Sequence, residues 1–190
     1  MTQRSFDELL RQPELPPSPG AKVHNFHSSL AKSEEGSLEP FWDQVYRKHF
    51  PTMVACVPLR GDTAAQRQGK DRAIHLANGD VLYIDEKIRP DRYDDRDILL
   101  EYLSNDRTGA PGWIECDKAI DYLAYAFIPR KRVYLFPWLQ LRRAWSHYRD
   151  RWQAENKPIA AKNQGYITYS TPVPTKELRA AVSVAAVIQL

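Results

Sequence analysis

Long apolar runs are missing from this chain of 190 residues, and with them any segment expected to cross a bilayer as a helix; the C-terminal AAVSVAAVIQL is apolar but too short. Cysteine is nearly absent. Cys56 and Cys116 have neither the spacing of metal ligands nor the number for a disulfide framework, so both are expected to be reduced core thiols. The five histidines show no metal spacing, His75 beside the acids being the weak exception. No secretory leader is visible, because the N-terminus is polar and soon meets Pro13, Pro16, Pro17 and Pro19; a soluble, cytoplasmic protein is the expectation. No internal repeat is found. A strong excess of one charge is also lacking: a formal +3 and a pI near 8.8 do not by themselves establish a nucleic-acid partner.

The distribution of charge carries more than its sum. From Asp80 to Asp121 acids outnumber Lys and Arg by 12 to 6, whereas Arg130 to Arg151 holds seven basic residues and one acid, Asp150. That polarity suits an acidic, cation-collecting site beside a surface that meets phosphate.

Residues 1–37 differ in composition from the rest and are expected to form a tail or linker, with a short helix after the capping box SFDE and a capacity to dock a partner. Residues 38–190 are expected to form one α/β domain. PFWDQVYRKHF reads as a helix, MVACVPL as a buried strand, RAIHL and VLYIDEKI as a hairpin, and DILLEYLS as a strand. DKAIDYLAYAF has Ile120, Leu123, Ala124 and Phe127 at helical spacing and is expected to be a helix; RVYLFP is a strand and WLQLRRAWSHYRDRWQ a long amphipathic helix. GYITYSTPVP is a last strand and TKELRAAVSVAAVIQL a last helix. The order predicts an α/β sandwich, a mixed sheet flanked by helices.

The hairpin poses the chemical question, because its second strand carries Asp85, Glu86 and Lys87 in an apolar run and Asp71 stands at its far end. A two-residue turn at Asn78-Gly79 sets Asp71 opposite Glu86 and turns Ile74 and Leu76 to the face of Asp85. A three-residue loop, Ala77 to Gly79 with Gly79 left-handed, sets Asp71 opposite Asp85 and gathers Ile74, Leu76, Leu82, Ile84 and Ile88 on one face. A register slip of one residue would expose that whole apolar set, so the second arrangement is expected. Asp71, Asp85 and Lys87 then converge on the other face. Two such carboxylates repel unless a cation lies between them, and hard oxygen ligands with a lysine beside them suit Mg²⁺ or Mn²⁺ and phosphodiester hydrolysis. The plain alternative is an ion-pair ladder across a surface hairpin.

Asp71, the hairpin, and Asp85-Glu86-Lys87 as a D-x-K element closing an apolar strand resemble the PD-(D/E)xK nuclease superfamily, whose fold is that of restriction endonucleases. The resemblance covers about residues 40 to 133. It implies a helix before the hairpin and alternating helix and strand after it. It also implies that Asp71 and Asp85 ligate the metal, that the Glu86 backbone carbonyl completes its shell, and that Lys87 acts on the attacking water. Lys70 stands where the motif has proline, and a two-residue turn would make Glu86, in place of Asp85, the principal ligand.

Other residues attach to this core. Glu39 or Asp43 on the first helix is a candidate further metal ligand, the alternative being acids that favour the helix N-terminus. Gln66 is a candidate for the substrate phosphate or the water, the alternative being a solvated loop amide, and Gly69 either permits a close backbone approach there or is a turn residue. Glu101, a carboxylate among leucines, is expected to extend the acidic site, to pair with an arginine such as Arg89, or to face solvent from an edge strand. Asp121 and Tyr125 are read as neighbours on one helical face. On the long helix, Trp138, Leu141, Trp145, Tyr148 and Trp152 form an aromatic core stripe, while Arg142, Arg143, Arg149 and Arg151 lie off it as candidate nucleic-acid contacts. The resulting expectation is a Mg²⁺-dependent nuclease acting on DNA in a phage, mobile-element or repair setting, as a homodimer or with a protein partner, and with no membrane association. The alternative is a nuclease-like module that only binds nucleic acid or protein.

Overall fold

Strands whose two faces are both covered have no polar alternation to show, and two such strands form the centre of this fold. The computed structural model describes residues 38–89 and 95–190. Helix α1, Glu39–His49, starts with Pro40 in its first turn and buries Trp42, Val45 and Tyr46. Then follow β1 (Met53–Pro58), a short α2 (Thr63–Arg67), β2 (Arg72–Leu76) and β3 (Val81–Arg89). After them come β4 (Asp97–Asn105), β5 (Ala110–Pro111), β6 (Tyr122–Phe127), β7 (Arg132–Pro137) and the long α3 (Trp138–Glu155). The chain closes with β8 (Ile159–Lys162), β9 (Ile167–Pro174), α4 (Thr175–Ala181) and β10 (Ala186–Gln189).

Two sheets result: six strands in the order β1-β2-β3-β6-β7-β10 and four in the order β5-β4-β9-β8. The larger is mixed, since β3 and β6 run parallel and its other neighbours antiparallel. The α/β sandwich expected from the sequence is therefore present, with the strands divided between two sheets.

Side-chain alternation sorts the core into two layers. Ala124, Ala126, Val133, Leu135, Ile74 and Ile84 face α1, where Trp42 stacks on Tyr46 at 5.7 Å. Leu123, Tyr125, Phe127, Tyr134 and Phe136 point the other way, toward the second sheet and α3, and meet Ile98, Leu100, Val173, Trp138, Trp145 and Trp152. Each large side chain wholly removed from water there stabilises the fold by about 1.5–3 kcal/mol. The aromatic stripe of α3 is thus core, with Tyr148 packed at its margin.

Two expected helices are corrected. The helix expected over DKAIDYLAYAF is instead β6, preceded by a turn and loop. Burial on both faces gave it an apolar run whose spacing imitates a helix. With it falls the helix that the resemblance implied between the hairpin and the next strand: β3 reaches β6 through the strands β4 and β5 of the second sheet. The last helix is also shorter than expected, because α4 stops at Ala181 and the β-branched AVIQ stretch adds β10 to the edge of β7. The capping box at 5–8 lies outside the described residues.

Gly112 holds the end of β5 close against β4. Its N–H donates to the Tyr102 carbonyl at 3.0 Å, and a Cβ built on it would stand 2.2 Å from the Glu101 carbonyl oxygen. Gly112→Ala must push backbone against backbone and is expected to cost about 1–3 kcal/mol, read as a lowered urea midpoint.

Candidate functional site

The hairpin adopts the three-residue loop. Ile74 pairs with Leu82 and Arg72 with Ile84, and one further step in that register brings Asp71 against Asp85. Leu76 donates to the Asp80 carbonyl at 2.9 Å across Ala77, Asn78 and Gly79, and Gly79 has φ +92°. The apolar set could be kept on one face only this way, and Gly79 makes the left-handed step without strain.

Asp71 sits where the chain enters β2. Its Oδ2 accepts the Glu86 N–H at 2.8 Å and its Oδ1 the Gln66 side-chain amide at 3.2 Å. Gln66 also donates to the Lys70 carbonyl at 3.1 Å, so α2 closes one side of the site. Asp85, on β3, is 1% exposed; Lys87 donates to its Oδ1 and Lys118 to its Oδ2. Gln66 is exposed, as a loop amide would be, and its side chain holds Asp71.

Glu101 comes across from the second sheet. The register of β4 against β9 slips between Glu101 and Leu103, and a bulge of this kind re-aims the neighbouring side chain. Its carboxylate lies within electrostatic reach of Lys87 and Lys118. It thus shares the field of the two lysines that hold Asp85. The alternative partner, Arg89, pairs with Asp97 at 3.0 Å.

The expectation for Glu39 fails, as does a side-chain role of Glu86 at this face. Glu86 points to the opposite side of β3, where its carboxylate accepts from Arg72 at 2.5 Å, Arg60 at 3.1 Å and the Tyr46 hydroxyl at 2.9 Å. Glu39 grips the same Arg72 in a two-pronged pair at 2.7 and 3.1 Å, and Asp43 pairs along its helix with Arg47 at 2.7 Å. Glu39 of α1 and Glu86 of β3 thus neutralise the buried Arg72, and the sheet separates them from Asp85. Asp121 and Tyr125 share no helical face: Asp121 accepts the Tyr83 N–H at 2.7 Å just before β6, and Tyr125 lies within that strand against Arg89.

Lys118 was missed. It follows no strand or helix pattern, and only the loop between β5 and β6 brings it to Asp85. Gly69 admits it: a Cβ there would lie 2.7 Å from Lys118 Cδ, and its φ is +73°.

The charges shape one another. Burial, and then the charge of Asp85, push Asp71 up to about 6. Burial would also raise Asp85, but Lys87 and Lys118 outweigh it and hold that carboxyl below its ordinary value. Burial opposes the charge on Lys87, yet Asp85 and Asp71 leave it above the ordinary lysine value, and burial raises Glu101.

A consequence is measurable in stability. An acid whose folded value is raised contributes stability that is present below pH 3.8 and lost as pH rises through about 6. Urea midpoints from pH 4 to 7 should therefore fall for the wild type relative to Asp71→Asn, a comparison in which His49 and Glu101 largely cancel. Parallel curves would contradict the raised value of Asp71.

The carboxylates of Asp71 and Asp85 are hard oxygen donors that repel one another, the donor type that suits Mg²⁺ or Mn²⁺. Among the described residues, however, no group of three or more His, Cys, Asp and Glu side chains is disposed to hold a metal ion. Cys56 and Cys116 are free and half-buried, less enclosed than expected.

Of the basic residues on α3, Arg142 meets Asp117 at 3.4 Å, Arg149 meets Glu115 at 3.4 Å and Arg151 meets Glu177 at 2.5 Å, while Arg143 is exposed. Among the described residues no helix is long and apolar enough to cross a membrane. Comparison with protein-family models, curated proteins and solved structures gives no match for this chain.

Proposed function

We propose that this chain is a divalent-cation-dependent nuclease that hydrolyses DNA phosphodiester bonds. The observation that carries the reading is the meeting of Asp71, Asp85 and Lys87 on one face of the hairpin, with Glu101 brought to them from the other sheet. Asp71 and Asp85, with the Glu86 carbonyl, are the groups to hold Mg²⁺ or Mn²⁺. Such a cation supplies Lewis acidity toward a phosphate oxygen and a more acidic water.

The chain's own residues do the rest. Gln66 and the Glu86 N–H fix the Asp71 carboxylate, so that its orientation does not have to be found at the moment of reaction. Lys87, partly exposed, is placed to orient the attacking water and to offset charge building on the phosphate as the P–O bond to the leaving oxygen breaks. Arg143 and its neighbours on α3 would supply sequence-independent attraction to the DNA backbone. The test is incubation of the protein with linear, circular and single-stranded DNA in Mn²⁺ and in EDTA, beside Asp85→Asn. No cleavage of any DNA by the wild type would remove the proposal.

One observation favours the second reading, a nuclease-like module that binds nucleic acid or protein without cutting: both oxygens of Asp85 are already taken by ammonium groups. That reading predicts DNA binding that persists in EDTA, with no cleavage in Mn²⁺. A protein partner engaged through residues 1–37, or a second copy of the chain, belongs with either proposal.

A further inference from the structure

A cation that already holds a carboxylate has less to offer an external anion, and on α3 three of the four arginines are so held: Arg142 by Asp117, Arg149 by Glu115 and Arg151 by Glu177. The connection between β6 and β7 is different. Ile128–Arg130 make one tight helical turn and Lys131 follows it; Arg130 and Lys131 are both exposed, and among the described residues neither side chain has an ion-pair partner. The backbone beneath them is fixed on all sides. The Gln189 side-chain amide donates to the Arg130 carbonyl at 2.8 Å and to the Lys131 carbonyl at 3.3 Å, while its oxygen accepts from Arg132 Nε at 2.9 Å. The Leu190 N–H donates to the Lys131 carbonyl at 2.9 Å, and Lys48, exposed on α1, donates to the Gln189 carbonyl at 2.6 Å. Lys131 itself has φ +48° and is the only non-glycine residue with positive φ among the described residues. That conformation favours glycine, so the backbone gives no reason for a lysine there.

Resting on the reading of DNA as the substrate, we propose that the β6–β7 turn is a contact to the DNA phosphate backbone, with Arg130 and Lys131 as its unpaired cations and Lys48 beside them. The contact needs no metal ion. Strand register sets its reach: β3 and β6 run parallel with Asp85 level with Leu123 and Arg89 level with Phe127, so the turn begins about 13 Å beyond Asp85 along the sheet. Over that length a duplex presents about eight phosphates, and one duplex can therefore meet the hairpin face and the turn together. Because Gln189 and Leu190 already hold the turn, little backbone order has to be gained on binding. A nucleic-acid backbone suits the turn better than a membrane surface does, since its one large apolar side chain, Ile128, packs inward against the α1 layer.

The experiment uses the full chain as wild type, Lys131→Gly, Arg130→Gln and the double variant. Glycine takes the left-handed step without strain, so thermal melts should show Lys131→Gly no less stable than wild type, and weaker binding by it cannot then be put down to unfolding. A fluorescein-labelled DNA duplex is titrated by anisotropy in Ca²⁺ over a range of salt, beside vesicles of phosphatidylserine. The expected result is DNA bound several-fold more weakly by each single variant and about tenfold or more by the double, with the salt slope reduced by about one and about two respectively. DNA affinity and salt slope unchanged in the double variant would overturn the role of the turn and leave the nuclease reading standing, and so would a loss confined to the vesicles. Turn-dependent DNA binding by a protein that never cleaves in Mn²⁺ would keep the contact and remove the nuclease reading. No DNA binding by the wild type would overturn both.

Discussion

Asp85→Asn is expected to lower DNA cleavage in Mn²⁺ by about 10³-fold or more while the protein stays folded, a loss of the size seen when one fixed electrostatic contact is taken from a transition state. The substitution keeps the shape of a side chain that is 1% exposed and leaves an oxygen for one of the two lysines. It removes the charge on which both a cation and the ammonium groups depend. Asp85→Ala is the poorer experiment, because it removes the accepting oxygen and the side-chain volume together with the charge, and lost stability would be more readily confused with lost chemistry. Gel assays of cleavage with melting curves on the same samples separate the two. Activity within about tenfold of wild type would exclude Asp85 from the reaction centre, and the convergence on this face of the hairpin would then be structural.

The prediction depends on a register that the sequence already contained. Ile74 and Leu76 on one strand and Leu82, Ile84 and Ile88 on the next share a face only if three residues form the loop, and the apolar cost of the alternative is large enough to override the preference of Asn-Gly for two-residue turns. The same register carried a signal that went unused. It puts Arg72 and Glu86 on the apolar face together, and an arginine there must find carboxylates; α1, whose Trp42 and Tyr46 lie on the same side, offers Glu39 at the matching helical spacing. Glu39 was therefore readable as a partner of Arg72 and not as a metal ligand.

Other features were not accessible from the residues alone. YLAYAF is covered on both sides, so its burial erased the period that separates strand from helix, and only the pairing partners β3 and β7 distinguish them. Lys118 reaches Asp85 because the chain between β5 and β6 turns back under Gly69, a tertiary path that leaves no local pattern. Glu101 stood out as a carboxylate among leucines, but its aim depends on the slip in β4 and on Gly112 seated against its carbonyl.

Adjacent residues of one strand should give opposite phenotypes. Glu86→Ala is expected to destabilise the protein by about 3–5 kcal/mol, the usual cost of removing one partner from a buried ion pair. Its carboxylate is the common acceptor for Arg72, Arg60 and the Tyr46 hydroxyl, and Arg72 is 1% exposed. Without Glu86 the guanidinium keeps Glu39, which is itself partly in water and holds it from one side only. Tyr46, whose hydroxyl is kept protonated far above its ordinary range by burial and by the Glu86 charge, loses its acceptor as well. Urea unfolding should show the midpoint falling with an unchanged slope, since the surface exposed on unfolding stays the same. Mn²⁺ affinity of the folded fraction should change little, because the Glu86 side chain faces α1 and only its backbone faces Asp71. A Glu86→Ala protein as stable as wild type but unable to bind Mn²⁺ would reverse the assignment of the two acids, making Glu86 the ligand and Asp85 the structural partner of its lysines.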